Sequence, residues 1–527
     1  MVNRIFLQAE GITYRDWIYY SLLSLFAISL PSSITACTVI QVLFAVHWFS
    51  GGNYREKLNR FWANKPVVLL SSVFLVYLSA IFWTDDLENG MGKELLNKLP
   101  ILTLPFFIAS EKPVNKEVVK FLPILFSLSV FVVSIIGMIM FFSNDLLDYR
   151  QLSPFINHIH FGNMVVLSFF WLPLAVKKSN INRFWFYFSL AISAWLLFFI
   201  FYMATLTAWL GLSVILLYFG IKWLIDGKFD HLKRIVFSVS LLGIILFIAL
   251  SINCFRPMFL QRDYPLINNA VLTELGNPYQ HDQARKDREN GYLVFSFIAD
   301  EELQEAWSKR SKIHFDSLDH AQNEIRYTAY RFLTSKGLKK DSSGLAEISD
   351  TEINGIENGI PNYLYLKWPS IMVRIHQSLW ELQRYYLSGD PRGHTMSQRL
   401  ELWKAGWVAF LEKPILGWGT GDLPEAMEFG LEKIDSRMET FMKPHNQILY
   451  LLLMTGLTGT FMILLLLVSY IIRSAACRNL EMKIALILFG VTMFSHTILD
   501  YQMSLSLFLF CLLYFGEIIK IKIEDEL

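Results

Sequence analysis

Charge is scarce in this chain. Only 18% of its 527 residues are charged and 54% are hydrophobic, whereas soluble domains carry about 25% and 45–50%. Forty-seven Lys and Arg against 46 Asp and Glu leave a net charge of +1, so there is no bulk attraction to nucleic acid. Cysteine is equally sparse. Cys37, Cys254, Cys477 and Cys511 are scattered, without the spacing of a metal site or a disulfide framework. This composition excludes a disordered chain, a coiled coil and a secreted disulfide scaffold. What abounds is apolar and aromatic surface: 43 Phe, 22 Tyr and 15 Trp, with a mean hydropathy of +0.38. The main solvent of such a chain is lipid.

A helix needs roughly 20 apolar residues to cross about 30 Å of hydrocarbon. Twelve segments qualify as candidates: 16–31, 34–50, 66–83, 97–109, 121–142, 159–176, 184–201, 204–224, 234–252, 446–471, 482–499 and 502–519. Leu30-Pro31-Ser32-Ser33 predicts a tight hairpin between the first two, because Pro stops one helix and Ser caps the next. Pro100 and Pro105 predict a kinked or interfacial fourth segment. Alternate loops are basic: Arg55, Lys57 and Arg60, then Lys112, Lys116 and Lys120, then Lys177, Lys178 and Arg183. The intervening ones hold acids such as Asp85, Asp86 and Glu88. Twelve spans put every basic loop on the cytoplasmic side, with both termini cytoplasmic and residues 253–444 outside. The first span lacks a following small-residue cleavage site and reads as an anchor. The expected architecture is all-α and polytopic: nine spans over 1–252, a mostly helical periplasmic domain over 253–444, and three spans with a cytoplasmic tail over 445–527.

Within the outer segment, Asp300 to Ile325 has polar helical periodicity and Ser349-Asp350-Thr351-Glu352 reads as a capping box. Gly359 and Pro361 stop that short helix. Ile371, Ile375, Leu379 and Leu382 mark one face of an amphipathic helix over 371–387.

Chemistry concentrates near the end of that segment. Thr395 or Ser397 is expected to cap a helix with Leu400, Trp403, Trp407 and Phe410 on its apolar face. Arg399 then falls in the first turn, beside free N–H groups that favour an anion. A solvated surface arginine would show the same local pattern. Gly417-Trp-Gly419-Thr-Gly421 reads as a tight turn before a cap at Asp422, because no Lys-Ser/Thr follows as in a nucleotide loop. Lys443-Pro444-His445-Asn446 stands at the outer mouth of the tenth span, where a histidine can titrate near neutral pH. His496 and Asp500, four apart, are expected on one helix face and paired with each other. His158 and His160 form a weaker pair of the same kind.

Arg399 with Trp403, then Pro414-Ile-Leu-Gly417-Trp-Gly419-Thr-Gly421, Pro444-His445-Asn446-Gln447 and Gly456-Leu-Thr-Gly459 together resemble the O-antigen ligase and polymerase superfamily. There an Arg, a Pro-Leu-Leu-Gly-x-Gly segment, a His-Asn pair and a Gly-x-x-Gly recur in this order. The twelve-span layout with one long outer loop is similar too. Thr334-Ser-Lys-Gly-Leu-Lys-Lys-Asp341 and Gly393-His-Thr-Met-Ser-Gln-Arg399 look like a Bacteroidetes-type branch. One departure stands out. Family members often carry Ser-Arg at the outer start of the eighth span, and here Ala204-Thr-Leu206-Thr-Ala-Trp209 has no arginine.

The resemblance implies a bacterial inner-membrane glycosyltransferase. It would move a glycan from undecaprenyl diphosphate to a lipid A–core hydroxyl at the periplasmic face, without cofactor or metal and with inversion. His445 is the expected base and Arg399 the group that stabilises the departing diphosphate. Lys98, Arg256, Arg262, Asn446, His496 and Asp500 are the expected substrate contacts, the first three as substitutes for the missing arginine. Polymerisation of repeat units uses the same donor and scaffold, and transfer to protein hydroxyls is a third variant. A transporter of lipid-linked glycans is the reading from another class; no inverted repeat supports it.

Overall fold

The computed structural model describes residues 13–112, 115–143, 149–225, 231–262, 272–282, 284–438, 442–474 and 476–518. They are helical almost throughout, and the one strand ladder among them pairs Arg288–Glu289 with Tyr292–Leu293. Each of the twelve apolar segments holds a helix. Six are long and apolar enough to cross a bilayer: Lys65–Trp83, Leu122–Ser143, His158–Lys178, Arg183–Met203, Leu206–Ile225 and Gln447–Arg473. Ile34–Ser50 and Tyr54–Ala63, bent by 120°, make a seventh if counted as one broken span. Length and composition thus support six or seven of the twelve expected spans. Pro100–Ser110 has 11 residues and Leu480–Met493 has 14, short of the roughly 20 a crossing needs. The hairpin after the first helix forms as expected, with the Ser33 hydroxyl accepting from the Ala36 N–H at 3.1 Å.

The chain forms two compact units. One comprises Met1–Phe142, Arg150–Tyr218 and Arg399–Leu527; the other comprises Ser143–Tyr149 and Phe219–Gln398. The later border lies at 398/399 and not at 444/445 because residues 399–444 bond extensively to the apolar helices, as described below; the earlier one lies at 218/219, within Leu206–Ile225, and not at 252/253.

In the first unit, His158–Lys178 is the central helix. Its apolar window is 78% buried, whereas the other five long helices reach 28–44%. Leu75, Val132, Phe198 and Phe461 point outward instead, each more than half exposed, as lipid-facing side chains do.

The Gln447–Arg473 helix is broken. Gly456 has φ +64°, a left-handed conformation that interrupts the backbone ladder. Residues 414–419 fill the break. The N–H groups of Trp418 and Gly419 donate to the carbonyls of Leu453 (2.7 Å) and Met454 (3.1 Å). In return, the N–H groups of Leu457 and Thr458 donate to Pro414 (2.9 Å) and Ile415 (3.2 Å). Polar backbone released inside an apolar environment must find partners, and this loop supplies them. A Cβ on Gly456 would lie 2.2 Å from the Ile415 carbonyl oxygen, and one on Gly417 2.5 Å from the Gly456 nitrogen. The two glycine motifs are therefore the two sides of one backbone crossing. The same loop continues along the Tyr77–Asn89 region: Thr420 Oγ1 donates to the Tyr77 carbonyl at 2.7 Å, and Asn89 Nδ2 to the Gly421 carbonyl.

The second unit has its own apolar core, including Leu303, Trp307, Phe332, Leu333 and Ile356. Inside it Glu289 is fully buried, held by Arg331 Nε at 2.7 Å and Asn362 Nδ2 at 2.9 Å. Ser349 and Glu352 form the expected capping box, and Gly359 takes the left-handed stop at φ +78°. Two expectations are corrected. The polar helix ends at Ser308, where the N–H groups of Arg310 and Ser311 both turn back to the Trp307 carbonyl, at 2.9 Å each, and the Trp307 indole N–H donates to the Ile313 carbonyl at 2.8 Å. On Ser370–Ser388 the expected Ile371 is buried, but Ile375, Leu379 and Leu382 are only half-buried and the stripe continues through Met372, His376 and Trp380.

Gly456→Ala is expected to lower the thermal unfolding midpoint. The backbone strain alone is on the order of 1–3 kcal/mol, before the clash with Ile415. Gly490, where a Cβ meets nothing within 4 Å, is the control: Gly490→Ala should leave the midpoint unchanged or raise it. Equal midpoints for Gly456→Ala and wild type would contradict the crossing.

Candidate active site

Three imidazoles pack together in the first unit. His445 lies with its ring centroid 5.5 Å from that of His496, and His496 lies 4.8 Å from His160. Tyr501 covers both His160 and His496 at about 5 Å. His160 is anchored through Nδ1 to the Ser504 hydroxyl. His160 Nε2, His445 Nδ1 and His496 Nδ1 are buried without a hydrogen-bond partner. Orphaned polar atoms of this kind mark places where water or a ligand group belongs.

His445 itself sits at φ +48°, a strained conformation for a residue with a Cβ. It is held from both sides. Asn446 caps the Gln447–Arg473 helix, its Oδ1 accepting from Ile448 N at 3.0 Å and Leu449 N at 3.1 Å. On the other side Lys443 is tied down by two acids. Burial, then the nearby charges of Arg399 and Lys443, push the His445 imidazole down to about 4. At neutral pH it is therefore uncharged, contrary to the near-neutral titration expected of an interfacial histidine. The charge of Arg399 is thus felt at His445.

Beside the imidazoles lies a buried charge cluster. The Lys98 ammonium, with no exposed surface, donates to Asp500 at 2.7 Å and to the Tyr450 hydroxyl at 3.2 Å, with Glu94 at 3.5 Å. Lys443 donates to Asp500 at 2.6 Å and to Glu94 at 3.1 Å. The Tyr450 hydroxyl lies 2.6 Å from Glu94 and 2.7 Å from Asp500. Two ammoniums thus face two carboxylates. Burial alone would raise the Asp500 carboxyl, but Lys98 and Lys443 outweigh it and hold it well below the usual range. For Lys443 burial works downward, and Asp500 and Glu94 outweigh it and hold the ammonium above its ordinary value.

Two expectations are corrected here. His496 and Asp500 do not share a helix face, because the helix ends at Met493 and both lie in the turn that follows. Asp500 pairs with the two lysines and His496 with rings, not with each other. Arg399 lies in the second turn of Thr395–Glu412. The first-turn Met396 N–H donates to the Glu381 carboxylate at 2.8 Å, so an acid of the chain fills the place read as anion-favouring. The buried face of this helix carries Leu402, Ala405 and Ala409, while Trp407 is 52% exposed.

Asn446 sits beside the imidazoles as the cap described above. Arg256 and Arg262 belong to the second unit, Arg256 exposed in the last turn of His231–Phe259 and Arg262 over the Tyr292 ring at 5.9 Å. Glu94, Tyr450 and Tyr501 were not singled out in the sequence. Glu94 and Lys98 do stand four apart, the spacing that pairs charges along a helix. Among the described residues, Asp85, Asp422 and Glu425 are the His, Cys or acid group whose ligand atoms lie within 4.8 Å of one another. The Asp422 carboxylate already accepts from the N–H groups of Asp85 and Asp86, at 2.9 and 2.8 Å. That group clamps a loop, and the three imidazoles do not converge to such a distance.

The apolar helices and the polar cluster at their ends define a multi-pass membrane protein with a site of paired ammoniums and buried imidazoles. A family model described as O-antigen ligase matches residues 349–464, the stretch that holds Arg399, the 414–421 loop, His445 and Gly456. Over that stretch the match supports the O-antigen ligase superfamily and, with it, a ligase- or polymerase-like glycosyltransferase. No curated protein matches the chain.

Lys98→Met should destabilise the protein by about 3–5 kcal/mol, the cost of stranding a buried partner charge. Lys98→Met combined with Glu94→Gln should cost less than the sum of the single losses, because the double variant removes one charge of each sign. Thermal or denaturant unfolding in detergent reads both, and additive losses would contradict a shared cluster.

Proposed function

We propose that this protein is a metal-independent, inverting glycosyltransferase of the O-antigen ligase type. It transfers a glycan from undecaprenyl diphosphate to a lipid A–core hydroxyl at the periplasmic face of the bacterial inner membrane. The observation that carries the reading is a neutral His445 that feels the charge of Arg399, both within the segment that matches the family. The reading retains twelve spans, with both termini cytoplasmic and residues 253–444 outside.

The chemistry follows from those two groups. The acceptor oxygen attacks the anomeric carbon while the bond from that carbon to the diphosphate oxygen breaks, and the diphosphate leaves with the electron pair. His445 takes the acceptor's proton. A neutral imidazole can do this, whereas an imidazolium cannot. Arg399 offsets the negative charge that grows on the leaving diphosphate, and a fixed guanidinium needs no reorganisation to do so. One direct displacement inverts the anomeric centre. His496 and Asn446 stand beside this centre, His496 with an unsatisfied nitrogen for a phosphate or sugar oxygen. Lys98 and Asp500 serve it by fixing Lys443, two residues from His445.

His445→Ala and Arg399→Ala are each expected to reduce transfer by roughly a hundredfold or more while leaving the unfolding midpoint near wild type. The measurement is product formation from purified protein with lipid-linked donor and acceptor, and full activity in both folded variants would overturn the assignment. For a base with a pKa near 4, activity should rise with pH through about 4 and level off toward neutrality. Activity that falls through the same range would instead assign His445 a charged, phosphate-binding role. In cells, deletion should abolish all attached polymer; single repeat units remaining on the acceptor would identify a polymerase.

A further inference from the structure

The charge cluster forms one wall of a cavity that the chemistry above does not use. It has a volume of 530 Å³ and is lined by Asn89, Gly92, Lys93, Glu94, Asn97 and Lys443, with Leu96, Leu423 and Pro424 as its apolar part. This lies within the range of clefts that hold small organic ligands, about 300–1,000 Å³. Three of its lining residues, Gly92, Lys93 and Glu94, come from one π-helical turn, Gly90–Leu95. Such turns are rare and recur at functional sites. Lys443 belongs to both the cavity and the strip carrying His445, and two residues of chain reach at most about 7 Å.

The charge of the wall narrows the ligand class. Lys443 and Lys98 are matched by Glu94 and Asp500 within the cluster, leaving Lys93 as the remaining cation of the lining. Neither the Lys93 ammonium nor the Asn97 amide has a hydrogen-bond or ion-pair partner among the described residues. A wall of one ammonium, amide groups and apolar patches suits a ligand with many hydroxyls and apolar C–H faces better than a polyanion. We infer that this cavity binds a pyranose ring of one of the two transferase substrates, with Lys93 and Asn97 on its hydroxyls and Leu96, Leu423 and Pro424 under its C–H face. This assignment rests on the glycosyltransferase reading and adds to it a sugar subsite on the Lys443 side of His445.

Gly92 offers a direct test. A Cβ there meets nothing within 4 Å, its φ lies outside the left-handed region and Gly92 lines the cavity, so a bulky side chain can be introduced at the cavity wall without backbone strain. In the full-length protein, Gly92→Trp is expected to raise the KM of one substrate about tenfold with kcat at saturation nearly unchanged. A rise in the acceptor KM assigns the ring to the acceptor, and a rise in the donor KM to the donor glycan. Lys93→Ala with Asn97→Ala should shift the same KM. A second readout needs no turnover: saturation-transfer NMR with delipidated core oligosaccharide and with repeat-unit glycan released from its carrier. One of these should bind wild type and fail to bind Gly92→Trp. Unchanged KM values together with unchanged oligosaccharide binding overturn the subsite. If wild type catalyses no transfer yet Gly92→Trp abolishes oligosaccharide binding, the transferase reading fails and the sugar site stands.

Discussion

Two carboxylates hold two ammoniums in a place where none of the four could stay alone. Glu94 and Asp500 face Lys98 and Lys443, with the Tyr450 hydroxyl between the acids. Burying any one of these charges unpaired would cost several kcal/mol, so the four must arrive together. With Tyr450 they come from four parts of the chain: the π-helical turn with the short helix after it, the strip before residue 447, the first turns of the Gln447–Arg473 helix, and the turn after Met493. The cluster thereby joins the ends of several apolar helices. It also fixes the short strip that carries His445 in a left-handed backbone.

The second constraint is the backbone crossing at Gly456 and Gly417. A helix broken within an apolar unit leaves carbonyls and N–H groups that lipid cannot satisfy. The 414–419 loop satisfies them and is itself held there by the same bonds. Glycines on both sides let the two backbones approach, and the loop then runs on to the π-helical turn and the cavity. The crossing and the charge cluster thus act on the same helix. One holds its first turns to the turn after Met493, and the other holds its middle to the segment that follows Arg399.

Much of this was legible in the sequence, for physical reasons. Apolar runs located a helix in every expected segment, and Ser33 and the Ser349–Glu352 box announced the starts of two helices. The order of Arg399, the glycine run, His445 and the second glycine pair pointed to the family. The partners were harder to read. Periodicity places His496 and Asp500 on a helix, but tertiary contacts end that helix at Met493, and Asp500 finds lysines from distant segments. Glu94 and Tyr450 look like an interfacial acid and a buried aromatic until the fold brings Lys98 and Lys443 to them. For Arg399 the local pattern favoured a free first turn, and Glu381, an acid from the preceding helix, fills it. Nor does composition show that burial beside Arg399 and Lys443 keeps an interfacial histidine neutral.

The central claim is that Arg399 and the imidazole cluster receive a lipid diphosphate. A cryo-EM map of the full-length protein with undecaprenyl diphosphate bound tests it most directly. Diphosphate oxygens within hydrogen-bonding distance of the Arg399 guanidinium, with His445 facing the anomeric position, are the predicted result. Diphosphate density held by other residues, with Arg399 and His445 touching none of it, would contradict the account.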